Sequence, residues 1–439
     1  MVRFTILVGI SIFFIVGSTS AASLVHQAGI FDQPHVFLTL SSVAGLDNGN
    51  GEWADTQFEL NWYGFDTPQD GDWVGLYDEN PTLNASAVPR ASILVNSTSG
   101  EKGYHKTNIR FGHPPITSDD EVGTDNCLGY WIAYHRGTNI LVSNCFRKYP
   151  RWMKNLREFI GGRRISQLMI PGTHDAGAIR VYDGIPAENP FTRYSVTQEE
   201  LLYRQFVHGI RYVDIRVSHY PATTEKWWIN HGDVRFQPLE TLFTAVRRFV
   251  EETGEIIFMD FHGFPVGFDN LTIHDALLVY VVEQVGDLLV LQNAVPTGDP
   301  TPNQIWATNR TVILTYQVDS VSEQYPFLWP YLIHAWGNKN TVDPLEQYFE
   351  QEALPRYGCA GVWWSAMAEM TTTAEDVLLQ PLVGLRGFAQ RINLPLTYWW
   401  MRPTWYARSM IVSTDFFLGN NIIEMAMKVN RERASCPSL

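Results

Sequence analysis

Two histidines, two carboxylates and an arginine fall in three short segments of this chain. The first is Pro171-Gly172-Thr173-His174-Asp175-Ala176-Gly177-Ala178, directly after the apolar run Ile165 to Ile170. The others are Tyr212-Val213-Asp214-Ile215-Arg216 and Trp228-Ile229-Asn230-His231-Gly232. Cleaving a phosphodiester with an internal hydroxyl needs a base for the hydroxyl proton, an acid for the leaving oxygen and a cation for the phosphate. Imidazole serves both proton roles because its ordinary pKa lies near neutrality. Guanidinium serves the third, since its planar fork grips phosphate oxygens and keeps its charge. A carboxylate behind each imidazole fixes its tautomer and orientation.

These residues must be held at strand ends, and the segments between them have the pattern to do so. After Tyr149-Pro150, apolar runs alternate with helical spacing. Candidate strands are Ile165–Ile170, Ile210–Val217, Trp227–Asn230, Ile256–Phe261, Thr311–Tyr316, Leu332–Ala335, Gly361–Ser365 and Met410–Ser413. Candidate helices lie between them, among them Thr197 to His208 with a Thr-x-x-Glu capping box. Eight such strands predict an α/β fold, a (β/α)8 TIM-like barrel over residues 149–439. Their uninterrupted apolar character fits parallel strands covered on both faces. Polar residues collect at the strand C-ends, the catalytic face of such a barrel: His174, Asp214, Arg216, His231, Asp260, His262, Gln317, His334 and Asp415. His208, His219, His274 and His334 read as structural histidines. Trp336 and Trp364 read as core or rim.

Residues 23–148 have a different grammar. Short alternating segments such as Gln57 to Tyr63 and Asp72-Trp73-Val74-Gly75-Leu76-Tyr77 are separated by Gly, Asp, Asn and Pro. They predict a small antiparallel β-sandwich preceding the barrel. Residues 1–22 run from Arg3 through an apolar stretch to Ser20-Ala21-Ala22, the layout of a secretory signal peptide. A secreted glycoprotein is expected, with sequons at Asn84, Asn96, Asn270 and Asn309. Of four cysteines, Cys127 and Cys145 bracket a hairpin-like stretch and can close a loop worth about 3 kcal/mol. Cys359 and Cys436 are the remaining pair.

The formal net charge of −14 repels nucleic acid and disfavours simple electrostatic docking on anionic membranes. An anionic substrate must therefore be held locally, by a residue such as Arg216.

Pro-Gly-Thr-His-Asp, Asp-Ile-Arg and Asn-His-Gly, in this order, resemble the X domain of phosphatidylinositol-specific phospholipases C. The metal-independent bacterial type and the animal proteins built of an X domain without regulatory modules are the nearest in pattern. The resemblance implies that His174 is the general base for the inositol 2-hydroxyl and His231 the acid for the departing diacylglycerol oxygen. It implies that Arg216 binds the phosphate, that Asp175 and Asp214 orient the array and that Asp415 is the partner of His174. The substrate it implies is a phospholipid, phosphatidylinositol or a glycosyl-phosphatidylinositol, met by peripheral membrane contact. Calcium-dependent relatives carry acidic residues where this chain has both Asp214 and Arg216, and asparagine at Asp175. A site without metal cofactor is implied; Asp260 leaves a calcium alternative open.

The chain departs from the bacterial pattern at Gln317, which replaces a basic residue near the inositol ring, and at Asp260-Phe261-His262, which replaces a lysine. With Trp336 these are the expected substrate-binding residues, and they put the headgroup in question. Two other classes of function stand beside the phospholipase reading. One is a lipid- or glycan-binding protein on the same barrel without turnover. The other is a metal-dependent enzyme of the glycerophosphodiesterase kind.

Overall fold

The computed structural model describes residues 29–43, 56–65, 67–95, 102–112, 126–179 and 190–432. The leader at 1–22, the Asn96 sequon and Cys436, hence the Cys359–Cys436 pairing, lie outside the described residues. No helix among the described residues is long and apolar enough to cross a membrane.

Alternation of apolar and polar residues produces β1 (His35–Leu40), β2 (Thr56–Tyr63), β3 (Asp72–Tyr77), β4 (Ala91–Val95), β5 (Gly103–Phe111), β6 (Cys127–Arg136) and β7 (Asn139–Arg147). They form two antiparallel sheets, ordered β1-β2-β5 and β4-β3-β6-β7. Aromatic side chains fill the space between the sheets: Phe58 lies 4.3 Å from Tyr130 and 5.4 Å from Phe146. Phe65 stacks on Tyr134 at 3.7 Å. The Cys127–Cys145 disulfide ties β6 to β7, with Cα atoms 5.6 Å apart.

Ten strands follow: β8 (Ile170–Thr173), β9 (Tyr212–His219), β10 (Trp227–His231), β11 (Val234–Pro238), β12 (Ile257–Gly263), β13 (Val312–Tyr316), β14 (Leu328–Trp329), β15 (Ile333–Trp336), β16 (Trp364–Met367) and β17 (Ile411–Thr414). Eight of them make a parallel sheet in the order β14-β13-β12-β9-β8-β17-β16-β15. This sheet is curled. Its end strands β14 and β15 are separated only by residues 330–332, a span of at most about 15 Å. Tyr212 of β9 and His334 of β15 stand four steps apart in the sheet order, yet their side chains meet at 2.8 Å. No ladder joins β14 to β15, so the eight-fold closed barrel expected from the sequence is replaced by a curled parallel sheet.

Three sequence assignments change. Trp227–Asn230 is not a parallel stave. As part of β10 it pairs antiparallel with β9 and with β11. Residues 220–226 are too few for the crossover that a parallel return requires, about a dozen or more. The run Ile165–Ile170 begins with a 3-10 turn, Ile165–Gln167, in which only Ile165 is buried, and the strand starts only at Ile170. Thr197 does not cap a helix: that helix is Leu202–His208. The Thr197 hydroxyl donates to the Asp175 carbonyl at 2.8 Å, and the Gln198 amide donates to the carbonyls of His174 and Thr414. The segment expected to start a helix therefore braces the loop that carries His174.

Candidate active site

The bend after β8 depends on small residues packed against their neighbours. A Cβ on Gly172 would stand 2.6 Å from Tyr212 Cδ1 and 2.8 Å from Ser413 Oγ, so only glycine lets β8 lie between those side chains. Beyond it, Asp175 takes a left-handed backbone with φ of 39°, a costly conformation for a residue with a Cβ. That bend aims His174 and Asp175 at the same space. Asp214 and Arg216 reach it from β9, where residues two apart share a face. Asp415 comes from the end of β17 and His231 from the end of β10.

His174 is held at both ring nitrogens. Nδ1 lies 2.9 Å from Asp415 Oδ1, and Nε2 lies 2.9 Å from an Arg216 Nη2. Arg216 Nε lies 3.1 Å from Asp175 Oδ1, and its Nη2 lies 3.4 Å from Asp214 Oδ2. His231 completes the set: Nε2 is 3.4 Å from Asp175 Oδ2, and Nδ1 donates to the Ser195 carbonyl at 2.8 Å. The two imidazole centroids are 5.9 Å apart, with planes nearly perpendicular. Asp175, Asp214 and Asp415 are buried, while both histidines and Arg216 line one cavity of about 730 Å³.

The charges in this array depend on one another. Burial opposes a charged His174, but the carboxylates of Glu369 and Asp415 outweigh it and raise its pKa to about 10. Burial likewise opposes the Arg216 charge, and Asp175 and Asp214 more than compensate. Asp214 is pushed up by burial and pulled further down by Arg216, ending below its ordinary value. For the neutral ring, the hydrogen-bond geometry sets where the His174 proton sits. A guanidinium only donates, so the 2.9 Å contact requires a lone pair on Nε2 and a proton on Nδ1, facing Asp415. Adding a second proton at Nε2 breaks the Arg216 contact.

Glu369 belongs to this site and was not anticipated. It lies two residues past β16, is 4% exposed and lines the cavity, and its Oε2 has no hydrogen-bond partner. Burial, with Asp415 and Asp214 adding and His174 and Arg216 opposing, raises its pKa to about 8. The sequence signal was faint: one acid after a short apolar run, Trp364 to Ala368, with no motif around it.

The expected substrate-binding residues divide. His262, Gln317 and Trp336 line the cavity. Asp260 does not, because it is fully buried behind them. Its Oδ2 accepts from Tyr212 Oη at 2.7 Å and lies 2.9 Å from His334 Nε2; its Oδ1 accepts from Thr315 at 2.7 Å. His334, read from sequence as structural, lines the cavity and stacks on His262 with centroids 3.2 Å apart. His208, His219 and His274 stay outside the cavity lining.

No family model matches the chain. PI-PLC X domain-containing protein 2 of Mus musculus is 27% identical over 274 residues, covering 57% of this chain and 78% of that protein. PI-PLC X domain-containing protein 2 of Homo sapiens is 30% identical over 257 residues, 54% of this chain and 82% of that protein. Among solved structures, the phosphatidylinositol-specific phospholipase C from Listeria monocytogenes aligns with a TM-score of 0.47 at 18% identity. That alignment covers 64% of this chain and 97% of that one.

Proposed function

The chain belongs to the family of PI-PLC X domain-containing proteins, and on that premise we propose that it is a secreted phospholipase C-type phosphodiesterase that needs no metal at its reaction centre. The single observation carrying this reading is the position of Arg216. Its guanidinium touches His174 directly and reaches His231 through Asp175, so one phosphorus atom can be gripped between two proton carriers.

The reaction follows from that placement. The phosphodiester takes over the guanidinium face now turned to His174, which frees Nε2. His174 Nε2 then accepts the proton of the inositol 2-hydroxyl, and the hydroxyl oxygen bonds to phosphorus. The imidazolium formed is stabilised by Asp415 at Nδ1. Arg216 stabilises charge on the non-bridging oxygens. The bond from phosphorus to the diacylglycerol oxygen breaks, and His231 Nε2 gives that oxygen its proton. The first products are a cyclic inositol phosphate and diacylglycerol. Phosphatidylinositol and glycosyl-phosphatidylinositol are the proposed substrates, met at a membrane surface.

The test is release of water-soluble phosphate from labelled phosphatidylinositol vesicles, with and without chelator. A cyclic phosphate as first product, insensitive to chelator and abolished in His174→Ala, supports the reading. A folded protein that binds vesicles without turnover returns it to the class of lipid-binding proteins. Activity that chelator removes assigns it to metal-dependent chemistry.

A further inference from the structure

We infer that Asp260, His262 and His334 form a binding site for one borderline divalent cation, Zn2+ or a metal of similar preference. The site is separate from the His174 array and independent of the reaction proposed for it.

The three side chains come from β12 and β15 and meet across the interior of the curled sheet. Their donor atoms all lie within 4.8 Å of one another. Asp260 Oδ2 is 2.9 Å from His334 Nε2 and 3.5 Å from His262 Nδ1. Donors bonded to one tetrahedral zinc at its usual bond lengths stand about 3.3 Å apart, between those two values. The imidazoles are nearly parallel, 5° apart, at a centroid separation of only 3.2 Å. Two rings this close that both turn a nitrogen to the same carboxylate oxygen make a poor hydrogen-bond network, and a shared cation resolves it. His262 Nδ1 is buried and lacks a hydrogen-bond partner, which leaves its lone pair available.

The surroundings complete the case. Thr315 holds Asp260 Oδ1 and leaves Oδ2 to point at both histidines. Gln317 Nε2 stands 3.4 Å from the other nitrogen of His262. Outer partners of this kind fix ligand orientation in metal sites. Tyr212 Oη, 2.7 Å from Asp260 Oδ2 and 2.8 Å from His334 Nε2, occupies the side facing β9. His262 and His334 both line the cavity, so the remaining coordination position opens toward substrate. Two nitrogens and one carboxylate suit Zn2+ and its neighbours, whereas Ca2+ takes six to eight oxygens. An ion there offers a contact to a hydroxyl of the polar headgroup away from the reacting phosphate, where the bacterial pattern places basic side chains.

The full chain, stripped of metal, is titrated with Co2+ while its visible absorption is recorded, and with Zn2+ by calorimetry. The expected result is saturable one-to-one binding, weakened about 100-fold or more in His262→Ala and in His334→Ala. His231→Ala binds the ion as the natural chain does, although it loses turnover, so failure of the catalytic reading leaves this result unaffected. His262→Gln guards against misfolding: Zn2+ raises the melting temperature of the natural chain but not of this variant, while both give the same circular dichroism. Absence of saturable binding, or binding unchanged by both histidine substitutions, overturns the inference.

Discussion

His174 and Arg216 meet at 2.9 Å through atoms that share a hydrogen only when the imidazole is neutral at Nε2. A base held in this way is ready to accept a proton as soon as a phosphate draws the guanidinium off it. Arg216 therefore competes with a proton for Nε2, against the carboxylates that favour the imidazolium, and grips the substrate when it arrives.

Arg216→Lys separates charge from geometry. Lysine keeps the cation but has neither the fork nor the reach to touch Asp175, Asp214 and His174 together. We expect kcat/KM to fall about 100- to 1000-fold, the range for losing one preorganised donor at a transition-state charge. Chemical denaturation should show the variant still folded. An unchanged rate would remove Arg216 from the phosphate.

Asp415→Asn tests the tether on the other nitrogen. Asp415 Oδ1 fixes the Nδ1 proton and steadies the imidazolium that forms during attack. An amide keeps the shape and loses the charge. Turnover should fall by about 10²- to 10⁴-fold, the contribution of a positioned base. The acid limb of the pH profile should also move down, because removing a negative charge disfavours protonated His174. A lower rate with an unmoved limb would mean that Asp415 acts only on structure.

The local pattern of the sequence carried most of this site, and its failures were failures of connection. His174, Asp214, Arg216 and His231 each carried a motif, and Asp415 followed from its place after the last strand. Trp227–Asn230 reads as a stave because apolar periodicity does not reveal strand direction; the brevity of residues 220–226 does. His334 reads as structural in the sequence because its role depends on Tyr212, Asp260 and His262, which the chain brings together only by curling the sheet. Glu369 had no motif at all. Its role comes from burial beside other charges, which no spacing rule encodes.

Gly172→Ala tests the packing beneath the first motif. The added methyl would press on Tyr212 Cδ1 and Ser413 Oγ from inside the sheet, where neither has room to retreat. We expect a loss of stability of about 1–3 kcal/mol, the usual cost of overpacking. Because Tyr212 bonds Asp260 and His334, its displacement should also disturb the second cluster. Urea denaturation measures the first effect. A stability unchanged within about 0.5 kcal/mol would show that β8 does not need glycine there.

Glu369→Gln is the variant most specific to this arrangement. The carboxyl has a pKa near 8 in the folded chain against an ordinary 4.5, because burial disfavours its charge. Between those values the folded state holds a proton that the unfolded state has released. Stability therefore falls as pH rises through that window, by up to about 1.4 kcal/mol per unit, and the Glu369 contribution is complete only below about 4.5. His174 adds a slope of the same sign, but only above its ordinary value of 6.5. Only the difference between the two chains, by urea denaturation at pH 5 and at pH 6.5, isolates Glu369 from Glu59, whose pKa burial also raises, and from His135, His219, His274 and His334, whose pKa burial lowers. Stability should fall more with pH in the natural chain than in the variant. Activity provides a second readout. Glu369 is the foremost of the charges that raise the His174 pKa, so removing it should shift the acid limb of kcat/KM to lower pH. If the natural chain and the variant show the same pH dependence between pH 5 and pH 6.5, Glu369 is ionised at rest and the cavity is more polar than its burial implies.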